Sequence, residues 1–113
     1  MRRGKEIAQG SHASMEFLVT RLRSTRRAGD TFYLDDRAIA WIENGAPKIC
    51  LRVQSEEELV ALHERARSLG LKSYLIRDSG RTEFSGIPTL TACAIGPDLS
   101  DDIDRITGDL VPY

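Results

Sequence analysis

The sequence is poor in the features that mark several large classes of protein. Cysteine occurs twice and proline four times among 113 residues, which excludes a disulfide-built scaffold. No apolar run approaches the length of a membrane-spanning helix, and the basic start of the chain lacks the apolar segment of a secretory signal. We therefore expect one domain over residues 1–113, in the cytoplasm and without a membrane partner.

Signatures of common catalytic and cofactor sites are also missing. The sequence contains no phosphate-binding loop, no GxGxxG fingerprint and no nucleophile elbow. His12 and His63 each stand without a second ligand at metal-binding spacing, so we expect no metal cofactor. Cys50 and Cys93 both lie inside apolar runs, which favours buried, reduced thiols.

Charge is balanced in total but uneven along the chain. The 16 Lys and Arg residues nearly cancel the 17 Asp and Glu residues, for a net charge of −1. Basic residues are concentrated before residue 28, whereas Asp is concentrated after residue 97. This distribution is compatible with a positive face that binds an anionic partner. Solvated helix surfaces explain many such runs equally well.

Hydrophobic periodicity predicts an α/β fold. Helices are expected at residues 5–26, 35–43, 55–69 and 99–106, and strands at 48–53, 71–77 and 89–95. The strands at 48–53 and 71–77 would form a parallel βαβ unit around the intervening helix. The pattern therefore predicts a three-layer α/β/α sandwich with a small mixed sheet.

Local signals fix the ends and faces of two of these helices. Ser55 and Glu58 fit a capping box, and Gly70 supplies a left-handed stop for the same helix. The spacing predicts that one face of the first helix carries Ile7, Ser11, Ser14, Leu18 and Leu22, with Met15 beside them.

Two segments have side chains suited to chemistry. Arg2, Arg3 and Lys5 begin the first helix, where free amides and positive side chains favour an anion; a disordered start is the alternative. Asp78 ends a predicted strand, where ligands bind in α/β folds, and Arg81 follows it in the next loop. An ordinary turn is the alternative there.

Four segments, in order and spacing, resemble one family. They are GKEIAQGSHA at 4–13, LIRDSGRTE at 75–83, AIGP at 94–97 and IDRITGDL at 103–110. Together they are similar to the motifs of peptidyl-tRNA hydrolases of the second, archaeal and eukaryotic, type. The resemblance implies a small α/β/α enzyme that cleaves the ester between a peptide and the 3′ end of tRNA and needs no cofactor.

The resemblance also implies roles for individual residues. The expected catalytic residues are Lys5, Asp78, Thr82 and Thr89. Residues expected to bind the substrate, peptidyl-tRNA, are Arg2, Arg3, Gln9, His12 and Arg81. Ser79 and Glu83 depart from the family's usual Ala and Gln. A homodimer is left open.

Members of this family place an apolar strand immediately before the first helix. Met1 stands where that strand would end, so we expect the domain at 1–113 to lack the family's first strand, unless upstream residues or another chain fill its place. This departure keeps a catalytically inactive tRNA-binding or protein-interaction module as an alternative. An unrelated nucleotide-binding α/β domain is a weaker alternative, because no phosphate loop is present.

Overall fold

The computed structural model describes residues 2–78 and 89–113. In these ranges the chain forms α1 (Arg3–Ala28), α2 (Asp36–Glu43), α3 (Glu56–Ser68), β1 (Ser73–Asp78), β2 (Thr89–Ile95) and α4 (Ser100–Thr107). Six of the seven predicted elements are therefore present, with ends that differ by at most two residues. None of these helices has the length and hydropathy that crossing a membrane would require.

The sheet separates helices on its two sides. β1 and β2 pair in the antiparallel direction. At the end of β1, Asp78 reaches Lys5 of α1, whereas at its start Ser73 reaches His63 of α3. Helix α4 packs against α3. The predicted α/β class is thereby confirmed.

The predicted parallel βαβ unit does not form, and the sheet of the described residues is antiparallel, not mixed. Residues 48–53 lie outside it, and their only bridge within the described ranges joins Leu51 to Pro112. The amide of Arg52 donates to the carbonyl of Val111 on the same short ladder. Because backbone groups need partners, this apolar segment pairs with residues near the chain end.

The segment at 48–53 is consequently exposed. Ile49 is 83% exposed, and Cys50 is exposed as well. The prediction that both thiols are buried is therefore wrong for Cys50. Cys93, in the middle of β2, is partly buried.

Helix α1 buries a different face from the one its apolar residues suggest. Ile7, Met15 and Leu22 are 64%, 51% and 49% exposed, and Ser11 is exposed as well. The predicted inner face is therefore wrong for these four residues. The buried positions are instead Gln9, Ala13 and Phe17, spaced four apart, and Thr25 eight residues further on. The inner face of α1 thus begins with a buried amide.

The main apolar core lies between the sheet and the pair α3 and α4. Ala66, Leu71 and Ile106 are its buried members. The predicted N-cap of α3 is confirmed, because the Ser55 side chain accepts from the amide of Glu58. The second bond of the capping box differs, since the Glu58 carboxylate accepts from the amide of Gln54 and not from that of Ser55. Gly70 adopts the left-handed conformation at φ 78°, as its position after the helix requires.

Candidate active site

The first feature of the site is an ion pair between α1 and β1. Lys5 lies in the first turn of α1, and Asp78 is the last residue of β1. The Lys5 Nζ atom lies 3.1 Å from Asp78 Oδ1. The two side chains are 17% and 9% exposed, so the pair is largely shielded from solvent. Shielding strengthens the electrostatic interaction of each charge with any bound substrate.

The second oxygen of Asp78 is differently placed. Oδ2 is buried and has no hydrogen-bond partner among the residues that the structure describes. A buried carboxylate oxygen is stabilised when it accepts a hydrogen bond. Asp78 thus holds Lys5 with one oxygen and offers the other to a donor such as a water or a substrate hydroxyl.

Beside the ion pair lies a hydrogen bond between a buried amide and a hydroxyl. Gln9 is 4% exposed, and its Oε1 accepts a hydrogen bond of 2.7 Å from Thr91 Oγ1. Because the carbonyl end of the amide is engaged, its NH₂ end is the one left to donate to other groups.

Thr91 reaches Gln9 because β2 contains a bulge. Arg77 pairs with Leu90 and Ile76 pairs with Ala92, so Thr91 is an extra residue without a counterpart on β1. Strict alternation would place Thr91 on the same face as Cys93, whose sulfur lies near α3. A bulge redirects a side chain, which explains the contact of Thr91 with α1.

These groups line one cleft between α1 and β1, with a volume of about 640 Å³. Lys5, Gln9 and Asp78 lie at one end, together with His12, which is exposed. The cleft continues along α1 as far as Arg23. A polar end that holds a lysine and a carboxylate is suited to bind and polarise an anionic or ester-containing substrate.

The remaining predicted site residues fall at different distances from this cleft. Arg2 and Arg3 are exposed at the start of α1 and are not among the cleft residues. Thr89 begins β2 and pairs with Asp78 in the sheet. Arg81 and Thr82 lie outside the described residues. Within the described ranges, no three His, Cys, Asp or Glu side chains come together as a metal-binding group would.

Thr91 is the residue at this site that the sequence analysis missed. Its type and its position two residues after Thr89 were visible in the sequence. Its contact with Gln9 depends on the bulge, and no sequence signal marks that irregularity.

The fold and the cleft define a small α/β domain with a shielded lysine–carboxylate pair at the end of a strand. The family model described as peptidyl-tRNA hydrolase PTH2 matches residues 1–113. The chain therefore belongs to the PTH2 family of peptidyl-tRNA hydrolases, and the resemblance seen in its motifs is confirmed.

Individual relatives agree with this assignment. The chain is 41% identical over 110 residues to the peptidyl-tRNA hydrolase of Methanocaldococcus jannaschii, covering 97% of this chain and 87% of that protein. It is 38% identical over 108 residues to the peptidyl-tRNA hydrolase of Methanopyrus kandleri, covering 96% of this chain and 84% of that protein. It is 41% identical over 112 residues to the peptidyl-tRNA hydrolase of Halobacterium salinarum, covering 97% of this chain and 87% of that protein.

Proposed function

We propose that this protein hydrolyses the ester bond that joins a peptide to the 3′ end of tRNA, and releases the peptide and free tRNA. The observation that carries the proposal is the shielded Lys5–Asp78 pair in the cleft, in a chain that belongs to the peptidyl-tRNA hydrolase PTH2 family. The tRNA substrate is cytoplasmic, so the proposal places the protein in the cytoplasm.

Asp78 is proposed to position the attacking water. Its buried Oδ2 has no donor among the described residues, so it is available to accept a hydrogen bond from that water. The water oxygen then bonds to the ester carbonyl carbon, and its proton passes towards the carboxylate. Collapse of the tetrahedral intermediate expels the ribose oxygen of tRNA, which takes up a proton.

Lys5 is proposed to act on negative charge in the substrate. Its ammonium group lies beside Asp78, so it is close to where the carbonyl oxygen would gain charge during attack. A contact with a substrate phosphate is the other role that its charge permits. Both roles use the positive charge, and they differ in their dependence on salt.

The other predicted residues are proposed to bind substrate around this pair. Gln9 is held by Thr91 and would donate from its amide NH₂ group. His12 faces the same cleft. Thr82 and Thr89 would complete the hydrogen bonds around the water or the ester. Three arginines would contact the tRNA phosphates: Arg2, Arg3 and Arg81.

We predict that Asp78→Ala lowers the single-turnover rate of peptidyl-tRNA hydrolysis by about 100-fold or more, the usual effect of losing a water-positioning base. Affinity for deacylated tRNA should change little, because Asp78 makes no attractive contact with phosphate. Asp109→Ala, which removes an exposed carboxylate, is the control and should keep the full rate. An unchanged rate in Asp78→Ala would rule out the proposed role.

In the same assay, Lys5→Ala distinguishes the two roles of the ammonium group. A phosphate contact predicts weaker tRNA binding, with a defect that shrinks as salt rises, because binding through phosphates is salt-dependent. A lowered rate that is independent of salt assigns Lys5 to the developing oxyanion instead.

A further inference from the structure

The cleft extends well beyond the Lys5–Asp78 pair, along one stripe of α1. Lys5, Gln9, His12, Glu16, Val19 and Arg23 line it at intervals of three or four residues, which is the spacing of one helix face. Lys5 and Arg23 are separated by 18 positions, or about 27 Å along the helix axis. This length far exceeds what is needed to hold a single ester group.

The chemistry of the cleft changes along this stripe. Polar side chains surround the Lys5 end, whereas Met15 and Val19 contribute apolar surface further along. Ile76 lines the cleft from β1 and shares the sheet face of Asp78. Met15 is 51% exposed and lies one helical turn before Val19, so its apolar surface is accessible to a bound substrate. The cleft therefore offers an apolar section next to its polar end.

We propose that this apolar section, lined by Met15, Val19 and Ile76, binds the peptide part of peptidyl-tRNA. The inference rests on the proposed function, since the ester must lie at Lys5 and Asp78. From that point the substrate has two arms, one nucleotide and one peptide. Only one of these two arms would occupy the section of the cleft that runs along α1.

The charges and side-chain types favour the peptide arm. Glu16 lines the same section, and its carboxylate would repel a phosphate backbone. No aromatic residue lines the described cleft, so the stacking surface that single-stranded nucleic acids use is missing there. Arg23 lies beyond this section, at the far end of the cleft, and among the α1 residues that line the cleft between Lys5 and Arg23 the one Asp, Glu, Lys or Arg is Glu16.

The apolar section also suits a substrate whose sequence varies. Methionine is flexible and polarisable, and binding surfaces that accept many sequences use it for that reason. Met15 follows Lys5 by ten positions, which is about 15 Å along the helix. An extended peptide spans that distance in roughly four or five residues. Peptides of six residues should therefore reach Met15 and Val19, whereas a single residue should not.

The test compares two substrates on the same tRNA, one carrying a single N-acetylated residue and one an N-acetylated apolar hexapeptide. In the wild type, kcat/KM should be higher for the hexapeptide. The double variant Met15→Gln, Val19→Thr keeps side-chain size and adds polarity. It should lower the ratio of the two kcat/KM values about tenfold, as expected for losing apolar contacts with the peptide. Leu22→Gln, on the same helix outside the cleft, should leave the ratio unchanged.

Several outcomes would overturn the proposal. An equal loss for both substrates, or an unchanged ratio, would show that the apolar section does not contact the peptide. Weaker binding of deacylated tRNA in the double variant would show that the section holds RNA instead.

A second measurement does not depend on turnover. The methyl NMR signal of Met15, assigned by its loss in Met15→Gln, should shift when the free N-acetylated hexapeptide is added. If the wild type hydrolyses neither substrate but this signal shifts, the proposed function fails while the peptide site stands. An unmoved signal at saturating peptide concentration would reject the site itself.

Discussion

At the scale of single residues, the two thiols have opposite surroundings. Cys93 lies in a small polar cluster on the α3 side of the sheet, with its sulfur 3.3 Å from Ser73 Oγ. The same Ser73 hydroxyl lies 2.7 Å from His63 Nδ1. Burial raises the pKa of the Cys93 thiol, and the hydrogen bond to Ser73 only partly opposes that effect. Cys50 is exposed on the segment outside the sheet.

We predict that a small alkylating reagent modifies Cys50 at least about tenfold faster than Cys93 near pH 8. The thiolate is the reactive form, and a raised pKa leaves less of it at any pH below that pKa. Modification of Cys93 should keep accelerating as the pH is raised above the ordinary pKa of a thiol, because the pKa of Cys93 is raised. Mass spectrometry of peptides follows both rates, and the variants Cys50→Ser and Cys93→Ser identify each phase. Equal rates would show that burial does not protect Cys93.

Residue types at the site were predictable from the sequence, but some contacts were not. Lys5 and Asp78 were both predicted to be catalytic because they lie in matching motifs, and the structure places their side chains 3.1 Å apart. Gln9 was predicted to bind substrate, without any indication that Thr91 holds it. That contact follows from a bulge, which depends on how two strands pair and not on the local sequence.

At the scale of secondary-structure elements, features encoded within a segment were predicted well, whereas pairing with distant residues was not. The helix α3 was predicted almost to the residue, because its cap and its stop are encoded within the segment. Residues 48–53 have the composition of a strand, but a strand also requires a neighbour, and here the bridge is to Pro112. The composition of a segment does not specify which distant residues the segment pairs with.

The cap of α3 gives a test at this scale. We predict that Ser55→Ala lowers the free energy of unfolding by about 1 kcal/mol, because the amide of Glu58 loses its acceptor. The Glu58 carboxylate accepts from the amide of Gln54, one residue before the cap, and this bond should survive. Urea unfolding measures the change, and Ser24→Ala on the exposed surface of α1 is the control. If both substitutions had the same effect, the cap would contribute nothing to stability.

At the scale of the whole molecule, ionic contacts connect α2 to the end of the sheet. Asp35 caps α2, and its Oδ2 lies 2.7 Å from the Nζ of Lys72, just before β1. Lys72 Nζ also lies 3.6 Å from Asp98 Oδ1, which accepts from Arg37 of α2 at 3.0 Å. Asp98 is 3% exposed, so the network joins a surface helix to a buried carboxylate. The short helix α2 is thereby held by charge as well as by the packing of Trp41 on Phe17.

This network predicts a pH dependence of stability. The hydrogen bond from Lys72 is the largest cause that lowers the pKa of Asp35 below its ordinary value of 3.8, and burial opposes it. A carboxylate with a lowered pKa stabilises the fold above its ordinary pKa, and that contribution disappears as pH falls through the lower value. Asp35→Asn keeps a good helix cap but removes the ion pair.

We therefore expect Asp35→Asn to be less stable than the wild type by about 0.2 to 1 kcal/mol at pH 7, the usual range for a solvent-exposed ion pair. The difference should stay constant down to about pH 5 and shrink below 3.8, because the wild-type carboxyl then becomes neutral like the amide. Chemical denaturation at a series of pH values measures it, and Asp30→Asn, which removes an exposed carboxylate outside the network, is the control. A difference that persisted at pH 2 would mean that Asp35 stabilises the fold through its cap and packing, and that its charge does not hold α2 against the sheet.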